Sequence, residues 1–142
     1  MNKTSLYHSK EDTITWFLFD ASSKTLGRLS TEVSRILLGK NNVYYVQGQS
    51  LNQGVIIINA EKILVTGKKE TDKFYYKHSG TPGGLTIETF KELKKRIPTK
   101  IIEQSVKGML PKNSLGRGLF TKLKVYVGSE HPHKAQNPLL IN

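Results

Sequence analysis

Apolar positions along this chain alternate between unbroken runs and a helical rhythm, and each switch marks an element. Ile14–Phe19 is apolar and aromatic and ends at Asp20, which predicts a buried strand. Ala21–Thr25 is small and polar, a connection suited to capping a helix. Leu26, Leu29, Val33, Ile36 and Leu37 then fall on an arc of roughly 100° at helical spacing. Arg28 and Arg35 lie opposite that arc, and Gly39 is the expected stop. Asn41–Gly54 is polar and loop-like, with an aromatic patch at Tyr44 and Tyr45. Val55–Ile58 is a β-branched run that suits a central parallel strand buried on both faces. Strand, helix and strand over this distance make a βαβ unit, with the right-handed crossover expected of one.

The second half continues in the same way. Ile63–Val65 is short and apolar, Gly67–Asp72 reads as a charged turn, and Lys73–His78 as a cationic, aromatic strand. Gly80–Gly84 is a loop, and a helix is predicted from Thr86. Ile87, Phe90 and Leu93 would share its buried face, Glu88 would sit in its first turn, and Lys94, Lys95 and Arg96 would end it in accord with the helix dipole. Pro98 opens a further helix patterned by Ile101, Ile102, Val106, Met109 and Leu110, and Pro111 breaks it. Asn113 or Ser114 can cap another helix over Leu115–Leu123. Val125–Val127 is the last predicted strand, and HPHKAQNPLLIN an extended arm. With no repeat and no dividing linker, these elements predict one α/β domain over 1–142. Its architecture is three layers, α/β/α, around a small, mainly parallel four-stranded sheet, with extended arms at about 1–13 and 129–142.

Composition adds a partner class. The 142 residues hold 22 Lys plus Arg against 11 Asp plus Glu, a net +11 and a pI near 9.9. The bias grows along the chain, from six basic and four acidic residues over 1–60 to seven and two over 100–142. Between Gln104 and Ser129 stand five basic residues and no acid. That stretch is patterned for folding, so it presents fixed positive charge, which suits a polyanion such as nucleic acid. With no cysteine, disulfides, thiol nucleophiles and cysteine-zinc sites are excluded. The first twelve residues lack the apolar run of a signal peptide. Asn41–Ala60 is uncharged but too rich in Asn, Gln and Gly for a membrane span.

Catalytic and cofactor motifs are weak. DASSKTLGR after the first strand lacks the dinucleotide glycines, Gly116-x-Gly118 lacks a strand before it, and no Walker lysine motif occurs. Gly80, Gly83 and Gly84 are candidates to bring backbone amides to a phosphate, equally well read as an ordinary loop. Glu130, His131 and His133 fall short of a zinc ligand set. Asp20 reads as a turn or cap residue. Tyr44, Tyr45, Phe74, Tyr75 and Tyr76 are candidates to stack on unpaired bases, with one or two at most expected to do so. No cofactor, metal, membrane or small-molecule substrate is expected.

VKGMLPKNSLGRGLFTKLKVYVGSEHPH resembles the signature region of the thirteenth protein of the bacterial-type large ribosomal subunit. WFLFDASSKTLGRL, from Trp16, and IIINAEKILVTGKKETDKFYYKHSGTPGG, from Ile56, resemble that family's opening and centre in the same order. The likeness covers about Trp16 to Pro138. It implies an α/β/α fold around a small parallel sheet, binding to large-subunit ribosomal RNA beside neighbouring ribosomal proteins, an early role in subunit assembly, and no catalysis. The implied RNA contacts are Lys24, Arg28, Lys40, Lys68, Lys69, Lys77, His78, Lys107, Lys112, Arg117, Lys122, Lys124, His131 and His133. Val46–Gly54 departs from the family, which usually has a Thr-Pro-His segment with acids there, so no contact is carried over to it. The PKNSLGR and EHPH segments look most like the cyanobacterial and plastid branch, implying a ribosome in a plastid or a bacterial cytoplasm. The rival readings are a nucleotide-binding α/β enzyme and a charge-driven DNA or membrane-surface binder.

Overall fold

The computed structural model describes residues 14–141, so the N-terminal arm expected over about 1–13 and the final Asn142 lie outside the described residues. Strand β1 (Thr15–Asp20) leads through helix α1 (Leu26–Leu37) to strand β2 (Gln53–Ile58), and β1 and β2 pair in parallel along six residues. Val55, Ile56 and Ile57 are fully buried, as expected of a central strand. Beyond β2 lies β5 (Leu123–Val125), and beyond β1 lies β6 (Leu139–Ile141), both parallel. The sheet order is β5-β2-β1-β6. This is the expected α/β class with its four-stranded parallel sheet.

Alternation along the strands divides the two faces. Phe17, Phe19, Val55 and Ile57 join the main core with Leu29, Val33, Ile101, Ile102, Val106 and Leu119 from the helices. The other face carries Trp16 beside Gly54, paired in register. A Cβ on Gly54 would lie 2.6 Å from the indole, so the ring lies flat over bare backbone.

Helix α1 buries the predicted arc and leaves Arg28 and Arg35 exposed. Thr25 is its N-cap, but its side chain caps nothing. Instead the Leu26 amide donates to the Leu64 carbonyl at 2.9 Å, so the short Ile63–Val65 segment supplies the missing acceptor. The helix stops as predicted. Gly39 takes φ +77°, its amide donates to the Ile36 carbonyl, and the Lys40 amide to that of Arg35, a Schellman arrangement. At the strand end, the Asp20 carboxylate accepts from the Ser22 amide at 2.9 Å and from the Asn59 side-chain amide at 3.0 Å. These bonds, the backbone one first, hold its pKa below the ordinary 3.8. Asp20 is therefore a turn residue, as read from sequence.

The central third departs from expectation. Helix α2 (Lys69–Asp72) replaces part of the charged turn. Strand β3 (Phe74–His78) forms a separate antiparallel hairpin with β4 (Leu85–Thr89), so no helix starts at Thr86. Ile87 is exposed on that strand, and Glu88 pairs with Arg96 at 2.7 Å instead of opening a helix. Helix α3 (Phe90–Arg96) begins after Thr89 because a capping box forms there. The Thr89 hydroxyl accepts from the Glu92 amide at 3.3 Å, and the Glu92 carboxylate from the Thr89 amide at 2.8 Å.

Helix α4 (Pro98–Met109) packs on α1, where Ser30 donates to the Ser105 hydroxyl at 2.8 Å. Helix α5 (Ser114–Thr121) is capped by Asn113 and ends two residues early, because Leu123 opens β5. This edge strand thus starts two residues before the predicted Val125. The C-terminal tail runs through a short 3-10 turn at Lys134–Gln136 and finishes as the edge strand β6.

Two outcomes follow from this local chemistry. Thr89→Ala should cost about 1 kcal/mol in denaturant unfolding, the usual worth of an N-cap, while Thr86→Ala stays within about 0.5 kcal/mol. Asp20 contributes stability that is complete above its unfolded pKa, near 3.8, and is lost as pH falls through its lower folded value. The Asp20→Asn variant should therefore show a shallower loss of stability below pH 4 than the parent.

Candidate nucleic-acid interface

Few of the positive charges on this fold are paired with an acid. Among the described residues two ion pairs form, Lys24–Glu32 at 3.9 Å and Arg96–Glu88 at 2.7 Å. Many of the remaining cations lie on helix outer faces, held there by the burial of the apolar positions between them.

Several of the predicted contacts converge. An open groove of about 960 Å³ runs between the start of α1, the segment 65–73 and α4. Arg28, Lys68 and Lys69 line it, joined by Lys73, which the sequence reading had assigned only to a strand. Asp72 is the one acid in its wall. Lys107, on α4, sets its ammonium 5.8 Å from the Phe120 ring on α5, so the two helices share a cation that stays exposed. Lys40, Lys112, Arg117 and Lys124 are exposed on separate elements. Arg117 faces away from the buried Leu119, as the helical spacing predicts.

Other predicted contacts have internal partners. Lys122 is half-buried and donates to the Ser50 hydroxyl at 2.9 Å and the Asn52 side-chain oxygen at 3.0 Å. Desolvation pushes its pKa below the ordinary lysine value. It ties α5 to the divergent Val46–Gly54 segment. Lys24 lies 5.4 Å from the Phe19 ring as well as beside Glu32. His133 stacks on Trp16 at 5.8 Å and 6°, and its Nε2 is 2.7 Å from the Tyr126 hydroxyl. His131 lies 6.5 Å from His133. The histidines thus close the Trp16 face of the sheet, which explains why Gly54 must lack a side chain. Lys77 and His78 end β3, and His78 Nδ1 accepts from the Gly80 amide at 2.9 Å.

The glycines that hinted at phosphate binding have structural work. Gly80, Gly83 and Gly84 form the tip of the β3–β4 hairpin, not a strand-to-helix loop. The Gly84 amide donates to the Thr81 carbonyl and the Gly80 amide to His78, so both are engaged. Gly116 is buried, and a Cβ there would run into the Pro111 carbonyl. That close approach lets α5 fold back onto the end of α4. The first glycine of the GxG pattern is therefore a packing device, while Gly118 faces open space. Among the described residues no group of three His, Asp or Glu stands ready to hold a metal, and no helix is long and apolar enough to cross a membrane.

The family model for ribosomal protein L13 matches residues 14–132. The chain belongs to the ribosomal protein L13 family. Among its relatives, the large ribosomal subunit protein uL13 of Prochlorococcus marinus subsp. pastoris is 56% identical over 142 residues, covering 100% of this chain and 99% of the relative. That of Thermosynechococcus vestitus is 60% identical over 123 residues, 87% of this chain and 81% of the relative. The large ribosomal subunit protein uL13c of Guillardia theta is 53% identical over 141 residues, 99% of each. The resemblance read from the sequence motifs is thereby shown, in the cyanobacterial and plastid relatives expected.

The packing of this L13 chain gives a paired outcome. Gly116→Ala should destabilise by about 1–3 kcal/mol, because the methyl meets backbone that cannot swing away. Gly118→Ala, two residues on with open space, should stabilise by about 0.5–1 kcal/mol through helix propensity. Thermal melts of the two variants read the opposite signs.

Proposed function

We propose that this chain is a structural constituent of the large ribosomal subunit. It binds large-subunit ribosomal RNA through its exposed cations and lies against neighbouring ribosomal proteins. It acts in early subunit assembly, in a bacterial cytoplasm or a plastid, as one RNA-binding domain with terminal arms. Membership of a ribosomal protein family carries the non-enzymatic reading. The observation that carries the RNA reading is the charge: a net +11 with two ion pairs among the described residues leaves cations with nothing of their own chain to neutralise.

Exposure favours some candidate contacts over others. Arg28, Lys68 and Lys69 in the groove, with Lys40, Lys77, His78, Lys107, Lys112, Arg117 and Lys124 elsewhere, are exposed to solvent. Lys122 and His133 are engaged in hydrogen bonds within the fold, and Lys24 and His131 in looser contacts, so these four reach RNA, on this reading, only as secondary contacts.

Two measurements test it. RNA affinity should fall with salt along a log–log slope steeper than about −2, since each neutralised phosphate adds roughly −0.7 to −0.9. A slope near zero would remove the charge mechanism. Arg117→Glu should weaken RNA binding about tenfold while the melting curve stays within about 0.5 kcal/mol of the parent. Leu119→Asp should unfold the chain first, because Leu119 is buried. Unfolding by Arg117→Glu with affinity intact would overturn the assignment of these faces.

A further inference from the structure

The β3–β4 hairpin shows solvent an apolar face that the fold does not use. Its register places Phe74, Tyr76 and His78 on one side, opposite Thr89, Ile87 and Leu85. Phe74 is 48% exposed, Tyr76 63%, and Leu85 and Ile87 53% each. The neighbouring Tyr75 points the other way, half-buried against the main core. Sequence alone did not distinguish these three aromatics; the strand register does.

The surroundings of that face select an occupant. The strand and the turn before it carry Lys68, Lys69, Lys73 and Lys77 against Glu70 and Asp72. Lys73 and Lys77 alternate with the exposed rings onto the Tyr75 side, where the Lys73 ammonium lies 5.3 Å from the Tyr75 ring, and Glu88 is held by Arg96. Next to it an open cleft of about 310 Å³ lies between β3 and α4, lined by Lys73, Phe74, Tyr75, Tyr76, Gln104 and Ser105. Rings on alternate residues of one strand stand about 6–7 Å apart. Two adjacent exposed rings on a strand of net positive charge, with an exposed amide at Gln104 in the adjoining cleft, match unpaired nucleotides. Rings take base faces, ammonium groups take phosphates, and an amide reads a base edge. A duplex keeps its base faces stacked inside and has nothing to offer the rings.

We propose that the outer face of the β3–β4 hairpin is a stacking platform for unpaired nucleotides of RNA, centred on Tyr76 and Phe74. This rests on the RNA-binding reading above and adds a contact that salt does not screen.

The test uses the full chain with two probes, an unstructured single-stranded RNA and an RNA duplex of equal charge. Tyr76→Ala should weaken the single strand by about five- to a hundredfold and leave the duplex unchanged. Tyr76→Phe should keep the wild-type affinity, since it keeps the ring. Tyr76→Trp should bind, with its indole emission quenched by the single strand and not by the duplex. Circular dichroism checks that each variant is folded, as expected for a position this exposed. A wild type that binds neither probe overturns the RNA-binding reading and this one with it. A wild type that binds RNA, with Tyr76→Ala and Phe74→Ala equally tight on the single strand, overturns this proposal alone and assigns the face to a protein neighbour.

Discussion

A strand buried on both faces needs a neighbour at each edge and a cover on each side, and β2 imposes that requirement on the whole chain. Val55, Ile56 and Ile57 leave no polar face to turn to water. One edge is met by β1 along its full six residues, the other by β5, which arrives only after every helix has been laid down. One face is covered by α1, α4 and α5. On the other, Trp16 lies over Gly54 and His133 lies over Trp16. The C-terminal segment is thus part of the sheet's packing, which is why a tail with little hydrophobic patterning still takes up an ordered place and ends in β6.

The same requirement arranges the charge. Once the apolar residues are committed inward, a lysine or arginine at an intervening position has nowhere to go but outward. On α1 this gives Arg28 and Arg35, and on α5 it gives Arg117. Few acids stand nearby, so the cations repel each other in the free protein and lower its stability. A polyanion relieves that repulsion, so the fold and its ligand are energetically coupled without any shaped catalytic pocket.

Much of this was legible beforehand because the signals were long. The arc of Leu26 to Leu37, the β-branched run at Val55 and the proline at the start of α4 each left one reading. Where two short signals competed, the weaker local one prevailed unseen. Thr86 and Thr89 both precede apolar residues, and only Thr89 has a glutamate three positions on, the capping-box cue that sets the helix start. Ile87, Phe90 and Leu93 fit helical spacing, yet strand pairing with Tyr76 claims Ile87. Leu123 continues the rhythm of Leu115 and Leu119, but edge pairing with Val55 ends the helix first. Tertiary contacts decided these boundaries, and no window of sequence contains them. At the interface, exposure of Arg117 followed from spacing, whereas the inward turn of Lys122 depends on Ser50 and Asn52, about seventy residues away in the chain.

Lys122 and Arg117 show why a basic segment is not a uniform surface. They lie five residues apart in a run without acids, and composition treats them alike. Lys122 satisfies its ammonium on two side-chain oxygens, and partial burial lowers its pKa. A charge already desolvated and hydrogen-bonded gains less from a phosphate than a hydrated one that sheds counterions on binding. Arg117 keeps its planar, five-donor group in water on a helix pinned by Gly116 against Pro111. Its position is therefore fixed while its charge remains unspent. Preorganisation of this kind concentrates binding in the cations that rigid packing holds outward. On the hairpin the same logic holds for rings, with Tyr75 used by the core and Tyr76 left for a partner.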